Sequence, residues 1–409
     1  MRFRTVIAQI LCFATFVYCD ATYSCHLSSL NRASRDSASP WEIPLAKLRS
    51  YLDGLAIWTG AAPRRVQPRK INLALQGGGA HGAFSWGVAD QLLADERIAI
   101  AGISGTSAGA VNAVMIADGL ARGGPAEARQ RLAEFWRAAS TGGNLPAVQR
   151  AVTDRLFSIM PFATSSLHDW FETVARYFSP YDLNPLNINP LKELIERFVD
   201  FKAVRDSKLP LFIAATNVHT GRLKIFSRDA INADAVMASA ALPFLFQAVE
   251  IDKVPYWDGG YLSNPPIFPF LRTTEAEDVI VVQINPLLRT TTPKSSVEIV
   301  NRLNEIIFNS ALHTELRTLN SVNRLIDDGH LPNGFGKGAF RRLNIHRIDL
   351  GSLATRLSAS SKLKTDYQFF DLLRRAGQRA ARRFLETHFD DLGVRSTIDV
   401  EAEAGVEWE

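Results

Sequence analysis

The sequence predicts an α/β fold with a mainly parallel central sheet covered by helices on both faces. Three observations carry this expectation. The apolar runs Ile71–Leu75, Ile98–Ile103 and Asp278–Asn285 have the composition of strands buried on both sides. Stretches of helical periodicity alternate with such runs from residue 70 to 285, as crossover connections in a parallel sheet require. Glycine-rich turns link strand to helix at Gly77–Gly82 and again at Gly105–Gly109. The 409 residues, 46% hydrophobic and 22% charged, suit a soluble enzyme built as one large domain or one with additions.

At the N-terminus, Met1-Arg2-Phe3-Arg4 and the apolar run Thr5–Cys19 have the shape of a secretory signal or hydrophobic leader over residues 1–21. The competing reading is an overextended start, so the expected location is export in the first case, cytoplasmic or membrane-peripheral in the second. The run is short for a membrane span. Residues 22–69 read as an extension: a polar lead, an amphipathic helix Pro44–Trp58, and a Pro/Arg linker Ala62–Lys70. All three cysteines (Cys12, Cys19, Cys25) fall in these two segments, leaving the region from 70 onward without a disulfide.

The strand Ile71–Leu75 runs into Gln76-Gly77-Gly78-Gly79-Ala80-His81-Gly82, after which Ala83–Leu93 reads as a helix. Successive glycines at a strand-to-helix turn leave amide N–H groups uncovered beside the positive end of a helix dipole, a setting that suits a developing oxyanion. The next strand, Ile98–Ile103, ends in Gly105-Thr106-Ser107-Ala108-Gly109 before the helix-prone Ala110–Ala117. This G-x-S-x-G turn is a nucleophile elbow, whose flanking glycines Gly105 and Gly109 allow the tight turn that presents Ser107. Downstream, Tyr256-Trp257-Asp258-Gly259-Gly260-Tyr261 puts a carboxylate at a turn where two glycines permit close backbone approach. A buried Asp258 within reach of the serine hydroxyl can take its proton without histidine.

In these residues the chain resembles the patatin-like phospholipase family of Ser–Asp dyad lipid acyl hydrolases, over roughly residues 70 to 285. The resemblance implies a patatin-like fold in which Gly77, Gly78 and Gly79 form the oxyanion hole, Ser107 is the nucleophile and Asp258 completes the dyad. Gly82, Gly259 and Gly260 support the same motifs, and Ala238-Ser239-Ala240-Ala241-Leu242-Pro243-Phe244 resembles the family's Ala/Ser-rich segment between nucleophile and aspartate. It implies hydrolysis of phospholipid or related acylglycerol esters through an acyl-enzyme, with a lipid substrate and no cofactor. Where many members carry Arg or Lys late in the glycine loop, this chain has His81.

Other readings compete. Gly77-x-Gly79-x-x-Gly82 also satisfies the dinucleotide fingerprint, with Asp95 or Glu96 in range of the ribose; that acid should end a second strand, whereas both precede Ile98. A Ser–His–Asp hydrolase would draw its histidine from His313, His330, His346 or His388, all after Asp258. His346 lies in a strand-like alternation, Leu343–Leu350; His219 reads as a hairpin turn between Leu211–Thr216 and Leu223–Phe226. A non-catalytic lipid- or partner-binding module on the same fold is the third alternative.

Between Thr141 and Pro190, prolines interrupt aromatic residues such as Trp170, Phe171 and Phe178, a composition open to either a lid or ordinary core. The catalytic domain is expected over residues 70–290, followed by a helical C-terminal extension over 291–409. Ser296–Asp328 keeps helical spacing, as do residues 366–388, where Arg374, Arg375, Arg379, Arg382 and Arg383 form a basic face fitting a membrane surface or a solvated side of a packed helix. A net charge of +4 favours anionic lipid surfaces modestly; with no accompanying nucleic-acid motif, nucleic acid is not an expected partner. No metal-ligand spacing is present.

Overall fold

The computed structural model describes residues 67–140 and 178–404, apart from 244, 339 and 358. The leader, the Pro44–Trp58 helix and most of the proline-interrupted segment lie outside the described residues.

Eight strands form one sheet: β1 Arg69–Leu75, β2 Ile98–Gly105, β3 Leu211–Asn217, β4 Leu223–Ser227, β5 Val249–Ile251, β6 Val254–Asp258, β7 Asp278–Gln283 and β8 Asn344–Asp349. Their order is β5-β6-β3-β2-β1-β7-β8, with β4 also paired to β3. From β3 to β8 every pairing is parallel, whereas β4 and β6 each pair antiparallel with β3, and β5 pairs antiparallel with β6. The mainly parallel α/β architecture is therefore observed.

Among the described residues, the helices of eight or more residues are α1 Gly82–Leu93, α2 Ala108–Gly123, α3 Pro125–Ala138, α4 Pro190–Phe198, α5 Ala233–Ala240, α6 Ser296–Asp327 and α7 Tyr367–His388. The alternation of side chains along β1 divides the core. Ile71, Leu73 and Leu75 pack with Leu92, Val114 and Leu373 on one face, while Ala74 packs with Leu312, Leu316 and Leu319 of α6 on the other. Both faces are thus covered, as buried parallel strands require.

The C-terminal extension is not only helical. It supplies β8, which pairs in parallel with β7 from Asn344 to Asp349 within the compact unit Val66–Glu409. The physical reason is that Ile345 and Ile348 of β8 complete the two faces of the core. The basic helix α7 is a packed helix with a solvated side: Phe370, Leu373, Ala381 and Phe384 are buried, while Arg375, Arg379, Arg382 and Arg383 face solvent. It lies close against α1 because Gly87 and Gly377 leave no Cβ between the helices, where one would meet the carbonyl oxygens of Arg374 and Phe84.

Candidate active site

The elbow forms where β2 ends and α2 begins. Ser107 has φ 55° and ψ −124°, a conformation that costs a non-glycine residue on the order of 1–3 kcal/mol and persists only where its surroundings impose it. Gly109 permits the turn, since a Cβ there would strike the carbonyl oxygen of Leu75 at the end of β1. The Ser107 amide donates to Ser239 Oγ on α5 at 2.9 Å, and Thr106 Oγ1 donates to the Ser263 carbonyl at 2.8 Å. The nucleophile candidate is held by contacts from two distant stretches of chain.

Asp258 ends β6 with 0% of its surface exposed. Its Oδ1 accepts the Gly260 amide at 2.7 Å, its carbonyl accepts Thr216 Oγ1 at 2.9 Å, and its own amide donates to the Ala241 carbonyl at 2.9 Å. Oδ2 is buried without a hydrogen-bond partner. Burial raises the Asp258 carboxyl to about 7, against the opposing effects of the Gly260 amide, the Ser107 hydroxyl and the Lys362 charge. The serine hydroxyl thus lies near enough to favour the carboxylate but makes no completed hydrogen bond to Oδ2, a looseness common in unliganded sites. A carboxyl titrating near neutrality beside a strained serine suits a general base.

The glycine loop packs directly on the elbow: a Cβ at Gly77 would sit 2.6 Å from the Thr106 carbonyl oxygen and 2.7 Å from Ser107 Cβ. Of the three amides expected to face an oxyanion, that of Gly77 is already committed, donating to Asn264 Oδ1 at 2.7 Å. The Gly78 and Gly79 amides remain as candidates.

Residues 73–271 match the family model for patatin-like phospholipases. The chain carries a patatin-like phospholipase domain. The match covers both glycine turns and the Asp258 turn, and it makes the domain a member of a lipid acyl hydrolase family. The crystal structure of VipD from Legionella pneumophila is similar at 15% identity over 80% of this chain and 68% of its own, with a TM-score of 0.38; a likeness this loose carries no argument.

The structure separates the competing site residues. Asp95 pairs with Arg97 in the turn that precedes β2, at the opposite end of the parallel strands from the glycine loop, so it cannot serve a ribose there. The described histidines are engaged or exposed elsewhere: His313 with the Glu403 carbonyl, His346 with Asp278, His388 with Asp391, and His219 and His330 in solvent. His81 is buried and bonded through Nε2 to Ser361 Oγ at 2.7 Å. Burial, then the nearby Lys362 charge, lowers it to about 3, so it is neutral at physiological pH.

Four supporting residues were not singled out by sequence reasoning. Ser239 and Ala241 belong to the Ala/Ser-rich segment, and they tie the amides of Ser107 and Asp258 to one helix end. Asn264 and Asn285 grip the glycine loop. The segment's spacing was a signal for the first pair; for the asparagines the only signal was their position soon after Asp258-Gly259-Gly260 and at the end of the last core strand. No group of three or more metal-ligating side chains occurs among the described residues, and no described helix is long and apolar enough to cross a membrane.

Proposed function

We propose that this protein is a serine lipid acyl hydrolase that cleaves fatty-acyl ester bonds of phospholipids or related acylglycerols through an acyl-enzyme on Ser107, with Asp258 as the base. The observation that carries the reading is the pairing of a strained elbow serine with a fully buried carboxylate whose Oδ2 has no other partner. Ser107 Oγ attacks the ester carbonyl carbon while Asp258 takes its proton. The carbonyl electrons move to oxygen, and the amides of Gly78 and Gly79 stabilise that charge. Collapse of the tetrahedral intermediate expels the alcohol, which receives the proton from Asp258. Water, deprotonated in turn by Asp258, attacks the acyl-enzyme, and the second intermediate releases the fatty acid and returns the proton to Ser107.

The dyad requires Asp258 ionised, so activity rises with pH through about 7, where its carboxyl titrates. Peripheral contact with an anionic lipid surface is consistent with the net charge of +4. The test is a panel of phospholipid and acylglycerol esters assayed with the wild type beside Ser107→Ala: fatty-acid release from members of the panel that vanishes in the variant supports the reading, and release that survives in the variant refutes it.

A further inference from the structure

The entry to the glycine loop is held by linked buried amides whose orientations chemistry dictates. Gln76 Oε1 accepts the backbone amides of Ile284 and Asn285, both at 2.8 Å, and its Nε2 donates to the Asn264 carbonyl and to Asn309 Oδ1. Asn264 Oδ1 takes the Gly77 amide. On the far side, Asn285 Nδ2 donates to the Gly77 carbonyl at 2.9 Å, and Asn285 Oδ1 accepts Lys362 Nζ at 2.7 Å. Because an ammonium only donates, Oδ1 must face Lys362 and Nδ2 must face Gly77.

The Gly77 carbonyl belongs to the same peptide unit as the Gly78 N–H. In a trans peptide the two point in opposite directions, so whatever grips the carbonyl also aims the N–H. A hydrogen bond received at that carbonyl polarises the peptide and makes its N–H a stronger donor, and a cation bonded to the far end of the bridging amide strengthens the effect. Lys362 is well placed for this role. Its backbone carbonyl abuts Gly79, its Nζ lies 5.7 Å from the centre of the Phe308 ring, and Phe308 itself packs against Gly260.

We propose that Asn285 and Lys362 are positioning residues for the oxyanion hole: the Lys362 ammonium, acting through the Asn285 amide, orients and polarises the Gly77–Gly78 peptide whose N–H meets the developing oxyanion. The proposal rests on the acyl-hydrolase reading above and deepens it. It also assigns a role to a cation that reaches the loop from the C-terminal extension, since His81 in the loop itself is neutral.

Four charged or titratable groups bear on Lys362. Glu305 and Asp258 favour its charged form, Arg289 opposes it, and buried His81 is neutral beside it. Burial outweighs the carboxylates and brings Lys362 down to about 8. The relay is complete below that pH and is lost as pH rises through it.

The test uses the full-length protein and p-nitrophenyl butyrate, an uncharged ester that offers Lys362 no phosphate to bind. Lys362→Met lowers kcat roughly tenfold, the worth of one hydrogen bond to a charged group, and leaves KM within about twofold because the effect belongs to the transition state. The wild type loses kcat above about pH 8, and Lys362→Met shows no such fall. Asn285→Ala is at least as slow, and adding Lys362→Met to it costs less than about twofold more, since both act through one peptide. An alkaline fall that persists in Lys362→Met, or losses that multiply in the double variant, would overturn the proposal. If Asn285→Ala does not fold by thermal unfolding, the alkaline limb of Lys362→Met decides alone. A fluorophosphonate adduct on Ser107 in the wild type separates the two levels: with the adduct present, an unaffected Lys362→Met defeats the relay only, whereas an unlabelled Ser107 defeats both.

Discussion

Two buried aspartates sit at opposite ends of the same sheet, and their surroundings differ in one respect. Asp278 opens β7, where its Oδ1 accepts His346 Nε2 at 3.0 Å and Asn344 Nδ2 at 3.2 Å, and His346 Nδ1 in turn meets Thr397 Oγ1 at 3.2 Å. Asp258 closes β6 at the other end, with one oxygen bound by an amide and the other buried without a partner. The first carboxylate stitches edge strand β8 and the C-terminal tail to the sheet. The second is left underbonded beside a strained serine, an arrangement that a protein keeps at a cost in stability. The Thr–His–Asp string ties strands together; on the acyl-hydrolase reading proposed above, the incomplete Ser–Asp pair is poised for chemistry.

The contrast breaks most readily through activity. Ser107→Ala and Asp258→Asn each remove roughly three or more orders of magnitude from kcat, and combining them costs little further because they act as a unit. Asp278→Ala, by contrast, leaves kcat within a few-fold. An esterase assay on folded, matched samples checks all four. Next in size is Gly78→Val: a Cβ at Gly78 comes within 2.7 Å of Ile284 Cδ1, so the branched side chain displaces the loop. Turnover then falls by about two orders of magnitude, as loss of an oxyanion donor does, and calorimetry shows no saturable NAD or ATP binding in the wild type or the variant.

The smaller effects concern stability. Asp278→Ala strands two buried donors, from His346 and Asn344, and lowers unfolding free energy by about 1–3 kcal/mol for each, read from denaturant midpoints. Asp258→Asn shifts stability the other way. The folded state raises the Asp258 carboxyl from 3.8 to about 7, so the fold binds the proton more tightly than the unfolded chain. Stability from this group is complete below the unfolded value and lost as pH climbs to the folded one. Removing the charge therefore stabilises the protein above pH 7 by up to about 4 kcal/mol, less what an unpaired amide takes back. The gain fades toward pH 4, which a series of thermal melts between the two limits detects.

The two ends of the sheet also differ in how far the sequence disclosed them. Ser107, the glycine loop and Asp258 were legible because each is a local pattern: a buried strand, a turn that needs glycine, and a reactive side chain within a few residues. The strands β1, β2, β3, β4 and β7 were legible for the same reason, as apolar runs between turn residues, whereas the short β5 and β6 were not read as strands. What stayed hidden depends on pairs far apart in the chain. Asn264 meets Gly77 across 187 positions, Asn285 meets Gly77 across 208, and Lys362 meets Asn285 across 77, and nothing local marks an asparagine or a lysine for such a partner. The committed Gly77 amide was invisible for this reason too. The C-terminal extension was expected to be helical because α6 and α7 dominate its periodicity, yet the six residues of β8 make it part of the sheet.

The central claim is that Ser107 is activated by Asp258. The most direct measurement is the rate at which a fluorophosphonate modifies the protein at pH 8, with the adduct located by mass spectrometry in wild type, Asp258→Asn and Asp278→Ala. The account predicts an adduct on Ser107 in the wild type, formed at a similar rate in Asp278→Ala and at least roughly a hundredfold more slowly in folded Asp258→Asn, the scale of a lost general base. An adduct elsewhere, or Ser107 labelling in Asp258→Asn as fast as in the wild type, would contradict it.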